Sequence, residues 1–215
     1  MKNKKFFYLG LGSLLAFSFW TLLLCYVDTK PIGPNGSVVG LSMLNQFIHN
    51  LTGVNMTLYS ITDWSGLVPV FIAFGFALLG LFQWIKRRKI TKVDYSILAL
   101  GVFYIAVTIA YLLFERVVIN YRPVLINGYL EVSYPSSTTL LVMCVMPTAL
   151  MQFNRRIKNK VLNKFVSAII IFFIAFMVIG RVVSGVHWIT DIIGGALLST
   201  GLVAMYYWAI SLKKI

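Results

Sequence analysis

Runs of about 20 apolar residues, broken by short polar turns, recur along the whole 215-residue chain. Held as a helix, such a run rises ~30 Å, the thickness of the hydrocarbon core of a bilayer. Six runs are read, over residues 6–27, 66–85, 95–114, 136–153, 165–180 and 188–212. They predict an all-α, polytopic membrane protein with six transmembrane helices and a single domain over 1–215. Only 12% of the residues are charged, against about a quarter in a soluble domain. No internal repeat or linker divides the chain. A basic head before an apolar run also fits a signal peptide. The first run is long and ends in no small-x-small site, so an uncleaved first span is expected. Cys25 and Cys144 lie far apart within apolar runs and fit no metal spacing, so both are expected as buried thiols.

The net charge of +13 raises nucleic acid as a partner, and its placement answers the question. With six spans, both termini share a side with the turns near 86–92 and 154–164. That side carries Lys2, Lys4 and Lys5, then Lys86, Arg87, Arg88, Lys89 and Lys92. It also carries Arg155, Arg156, Lys158, Lys160 and Lys164, then Lys213 and Lys214, which makes 15 of the 19 Lys and Arg. The positive-inside rule places these residues and both termini in the cytoplasm. The charge is therefore explained by topology and no nucleic acid is expected. The other side keeps only Lys30, Arg116, Arg122 and Arg181 among the cations, with five of the six acids.

The segment 28–64 is the longest stretch outside the spans. Apolar Leu41, Leu44, Phe47, Ile48 and Leu51 recur at helical spacing, with Ser42, Asn45, Gln46 and His49 between them. This predicts a short amphipathic helix on the membrane surface. Its length suits a cover over an outer site. Tyr121, Tyr129, Tyr134, Trp64 and Trp188 are expected as interfacial aromatics, and Gly194-Gly195 as a place of close helix packing. Glu131 and Lys30 are candidates to pair across the outer surface.

Most of the chemistry falls in Arg181-Val-Val-Ser-Gly-Val-His187-Trp-Ile-Thr-Asp191. In a helix, positions i and i+4 share a face. Asp191 there would hold one imidazole nitrogen of His187 and leave the other free to attack, while Arg181 suits an anion. Such a set fits phosphoryl transfer through a covalent histidine. It equally fits a polar cap on a membrane helix. No cluster of metal ligands and no cofactor fingerprint occurs, so neither a metal nor a cofactor is expected.

A second polar segment, 115–138, brackets the neighbouring pair of spans and holds Arg122-Pro123 and Pro135-Ser136-Ser137-Thr138. Taken with Arg181-x5-His187-x3-Asp191, this order of motifs resembles the type 2 phosphatidic acid phosphatase superfamily of integral membrane lipid phosphatases. The resemblance covers roughly residues 95–210. It implies that His187 is the phosphate nucleophile and that Asp191 orients it. It further implies that Arg122 and Arg181 hold the phosphate oxygens, with Ser136 and the amides near Ser137 and Thr138 donating hydrogen bonds. The substrate it implies is a phospholipid or polyprenyl phosphate, met at the extracytoplasmic face of the cell membrane.

Two positions depart from the family pattern. Glu115 stands where the first motif has Lys, with Arg116 beside it as a partial substitute. Thr138 stands where the second motif has the His that protonates the leaving group. A hydroxyl is too weak an acid for that step, and general acid catalysis contributes about 10²–10⁴-fold. Three readings follow. Another acid serves, such as Glu115, Tyr134 or water. Alternatively the leaving group needs no proton, as with a lipid diphosphate or a transferred headgroup. In the third, the site only binds phospholipid headgroups.

Overall fold

The computed structural model describes residues 2–212, with side chains from residue 4. Lys213 and Lys214, and the side chain of Lys2, lie outside the described residues. Eight α-helices follow in order: α1 (Lys2–Tyr26), α2 (Ser42–Thr52), α3 (Met56–Ser65), α4 (Leu67–Arg87), α5 (Tyr95–Arg116), α6 (Ser137–Arg156), α7 (Lys160–Val183) and α8 (Ile189–Leu212). Among the described residues, five stretches are long and apolar enough to cross a membrane: Lys4–Tyr26, Met56–Arg87, Tyr95–Arg116, Lys160–Val183 and Ile189–Leu212. The protein is a multi-pass, all-helical membrane protein.

The remaining long helix, α6, is less apolar than these five, and its position explains why. It packs against α4, α5, α7 and α8, so half of its residues are buried in protein. Its polar side chains find protein partners. Thr148 meets the Tyr104 hydroxyl at 3.2 Å, and Gln152 bonds Tyr206 and the Ser96 carbonyl. The helices around it carry the lipid-facing apolar surface. α1 lies along α8. At Gly10 and Gly201 a side chain would run into Met205 and Leu14 respectively, so these small residues let the two backbones approach.

Ring contacts fix the relative direction of the ends. Phe6 meets Tyr207 and Phe7 meets Trp208, so the start of α1 lies beside the end of α8. At the same end Asp94 bonds Arg87 at 2.9 Å and Gln83 at 2.8 Å, and reaches Arg156 at 3.5 Å. This joins the α4–α5 turn to the end of α6 and gathers the basic turns at one end of the bundle. The loops bearing residues 117–136 and 184–188 lie at the other.

Three expectations are corrected. Cys25 is exposed, on a face of α1 that other helices leave uncovered, while Cys144 is buried as expected. Trp188 and Tyr134 are core residues, 3% and 1% exposed, unlike the exposed Trp64 and Tyr129. Lys30 pairs with Asp28 and Glu131 with Arg122, because the loop that carries Glu131 folds inward. The amphipathic segment is helical as predicted, and it turns its polar face to the protein. Asn45 is buried against Gly40 and Thr190, whereas Met43, Phe47 and Leu51 are exposed.

Candidate active site

The loop between α5 and α6 doubles back as a narrow hairpin. Asn127 and Gly128 both have positive φ, at 49° and 82°, and Ile126 and Tyr129 exchange two backbone hydrogen bonds across them. Asn-Gly is the pair best suited to such a turn. Further along, Arg122 N donates to Glu131 O and Ser133 N to Asn120 O. Residues two apart on an extended arm face the same way. Asn120 and Arg122 on one arm, with Glu131 and Ser133 on the other, are thereby delivered to one place.

That place is the start of α8. Asp191 is fully buried and accepts three hydrogen bonds. Asn120 Nδ2 donates at 3.1 Å, the Trp188 amide at 3.0 Å, and the Ser133 hydroxyl through a short bond. Ser133 Oγ also lies 3.0 Å from His187 Nδ1, while the Asp191 carboxylate is 3.8 Å from that nitrogen. Ser133 thus stands between the histidine and the carboxylate. Its only proton goes to Asp191, so its oxygen accepts from His187 Nδ1–H. The other face of the ring agrees. Arg122 Nη1 is 3.0 Å and Arg181 Nη2 3.5 Å from Nε2. A guanidinium can only donate, so Nε2 carries the lone pair. Burial, and then the two arginines, hold His187 well below the usual histidine value of 6.5, which keeps the ring neutral at pH 7.

Arg181 is 1% exposed and spans two helices. Nη1 donates to Thr62 Oγ1 at 3.3 Å and Nη2 reaches Asp63 at 3.4 Å. Arg122 Nε lies 3.0 Å from Glu131 Oε2, off the hydrogen-bonding line. A cavity of about 430 Å3 opens beside them, lined by Arg122, His187, Glu115, Glu131, Ser133 and Ser137 among others. Tyr134 lines it too, but its hydroxyl is 2.7 Å from Thr21 on α1. Burial also raises that hydroxyl above the usual tyrosine value, and both features tell against it as an acid.

The remaining expected residues separate. Ser136 is fully buried and caps α6, its hydroxyl accepting from the Thr139 amide and hydroxyl. Thr138 lines a second, mostly apolar cavity of about 340 Å3 together with Asp63, Gly66, Val70, Val107 and Tyr111. Ser137, Tyr111 and Leu140 border both cavities. Glu115 faces the His187 cavity, and the exposed Arg116 is not among its lining residues. Gly194 and Gly195 admit the ring of Tyr134 and the start of α6, which a Cβ at either position would crowd.

The model of the PAP2 superfamily matches residues 70–214. The chain belongs to the PAP2 superfamily. Among solved structures, this PAP2 protein resembles a transmembrane PAP2-type phosphatidylglycerolphosphate phosphatase from Bacillus subtilis. The two share 18% identity with a TM-score of 0.67, over 96% of this chain and 98% of the other. At that identity the likeness is one of fold. No curated protein sequence matches the chain. Ser133, Asn120 and Glu131 were not expected at the site of this PAP2 member. The Asn-Gly pair was the available signal, since it sets the register that brings them to Asp191 and Arg122.

Proposed function

We propose that this protein is a membrane lipid phosphatase that cleaves a lipid phosphate or diphosphate through a phosphohistidine on His187. The observation that carries this reading is the pair of arginines converging on Nε2 while Ser133 and Asp191 hold Nδ1. A phosphoryl group entering the cavity takes over the arginine N–H groups, and Nε2 is released toward phosphorus. The Nε2–P bond forms as the P–O bond to the leaving group breaks, with the electron pair leaving on that oxygen. Nδ1–H stays bonded to Ser133, and Asp191 offsets the positive charge on the ring. Water then attacks phosphorus, the P–Nε2 bond breaks, and both protons of the water stay with the released phosphate. The arginines offset charge on the transferring group throughout.

Thr138 faces the apolar cavity, and Glu131 is tied to Arg122. A diphosphate suits this site best, because its leaving group is a lipid phosphate that needs no proton. A third cavity, of about 460 Å3, lies further along the α4–α5 seam, lined by Phe76, Gly80, Trp84, Ile97, Gly101 and neighbours. This seam suits the hydrocarbon chain of the substrate. The gathering of basic turns at the opposite end supports an extracytoplasmic site, with α6 as a sixth crossing and both termini in the cytoplasm.

Phosphate release from lipid monophosphates and diphosphates is the direct test. The diphosphates should turn over at least ~10²-fold faster, following the worth of the missing acid. Equal rates would reject the diphosphate preference. Lipid binding without release on any substrate would reject catalysis.

A further inference from the structure

The paired arginines raise a physical difficulty that the family motifs leave unsolved. Arg122 and Arg181 are both buried, yet their guanidinium groups meet at one nitrogen of a neutral ring. Like charges so placed repel and would turn apart. Their carboxylate neighbours, Asp63 and Glu131, are half-exposed, so solvent weakens that compensation. Both cations lie over the same aromatic ring. The centroid of Tyr59 is 4.9 Å from the Arg181 guanidinium carbon and 5.6 Å from that of Arg122. Both distances fall within the ~6 Å over which a ring face attracts a cation.

Tyr59 sits on α3, outside the residues 70–214 that the family model matches. Its helix is fastened to the site. The Asn55 side chain caps α3 at the Leu58 amide, 2.9 Å away. The Asn55 amide donates to Ser184 O at 2.9 Å. Gly180 leaves room for Thr62 against α7, and Gly185, at φ +64°, leaves room for the Gly53 carbonyl. The ring is thereby held in place relative to Arg181.

We propose that Tyr59 is a positioning residue that holds Arg122 and Arg181 together as a two-pronged phosphate clamp through the negative face of its ring. The proposal rests on the reading that these arginines receive the substrate phosphate. It also gives residues 56–65 a part in the site beyond that of a cover.

Orthovanadate binding to the purified full-length protein tests it, with Tyr59→Phe, Tyr59→Leu and Tyr59→pentafluorophenylalanine. The fluorinated ring keeps the shape and reverses the charge of the face. Tyr59→Phe should bind within about twofold of wild type. The fluorinated variant and Tyr59→Leu should bind roughly 5–30-fold more weakly, the range expected for a desolvated cation–ring contact. The titration of His187, followed by NMR, gives a second readout. The charged groups facing the ring are Arg122, Arg181 and, through Ser133, Asp191; Glu131 and Asp63 stand behind the arginines. If the clamp spreads, the His187 value should climb toward 6.5 in the fluorinated variant and stay low in Tyr59→Phe. A fluorinated variant matching Tyr59→Phe in both readouts would overturn the proposal, since shape alone would then suffice. So would an equal loss in Tyr59→Phe, which would assign the effect to the hydroxyl. A wild-type protein that binds no vanadate, or whose vanadate binding Arg122→Ala leaves unchanged, would instead reject the phosphate site and the proposal with it.

Discussion

At His187 the two ring nitrogens meet opposite surroundings. Nδ1 faces an oxygen chain that ends in a buried carboxylate, and Nε2 faces two cations. His187→Gln removes the proposed nucleophile and should lower turnover more than ~10³-fold, measured as phosphate release. Ser133→Ala breaks the link to Asp191 and should cost roughly 10²-fold in kcat with little change in KM. A stability effect follows from the same burial. The folded ring resists protonation, whereas the unfolded chain takes a proton near the ordinary value of 6.5. The contribution is therefore full above pH 6.5 and is lost as pH falls below it. Thermal unfolding in detergent should show a steeper loss between pH 7 and pH 5 in wild type than in His187→Gln. The closeness of His187 and Asp191 was legible from their four-residue spacing, although His187 lies in the turn before α8 rather than on a shared helix face, and Ser133 stands between the two. Ser133 and Tyr59 were not legible, because their contacts cross 54 positions to His187 and 122 to Arg181, and no local period encodes such distances.

The hairpin is two arms about one Asn-Gly turn, and its register decides which side chains reach α8. A slip of one residue would turn Arg122 and Ser133 away together. The amphipathic α2 was legible as a helix from its spacing. Its orientation was not, since the same spacing fits an apolar face turned to a core or to lipid. Buried Asn45 and Thr190 settle the matter by bonding each other. Along the seam, Gly101 lines the apolar cavity, and a Cβ there would meet no atom within 4 Å. Gly101→Phe should fill the seam without a clash, and it replaces a poor helix former. It should reduce kcat/KM for a long-chain lipid diphosphate about tenfold or more, with little effect on a short-chain analogue. Equal effects on both would show that the chain lies elsewhere.

Across the whole molecule, charge and packing divide the labour by end. One end holds the basic turns tied through Asp94, and the other gathers Arg122, Arg181 and His187. The multi-pass, all-helical architecture was legible from the strongly apolar stretches. α6 reads as less apolar than the other long helices, because a helix wrapped by its neighbours can carry Thr148, Gln152 and Pro147 where a lipid-facing one cannot. That wrapping bears on how the chain is made. During synthesis α6 emerges before α7 and α8, the helices that later shield much of its surface. Its hydroxyl and amide groups would face hydrocarbon if it were released into the bilayer alone. The segment 137–156 placed by itself in a membrane-insertion reporter should insert poorly, and the segment 95–212 should insert efficiently. The bundle would then be completed at the insertion machinery, with α6 retained there until its partners arrive.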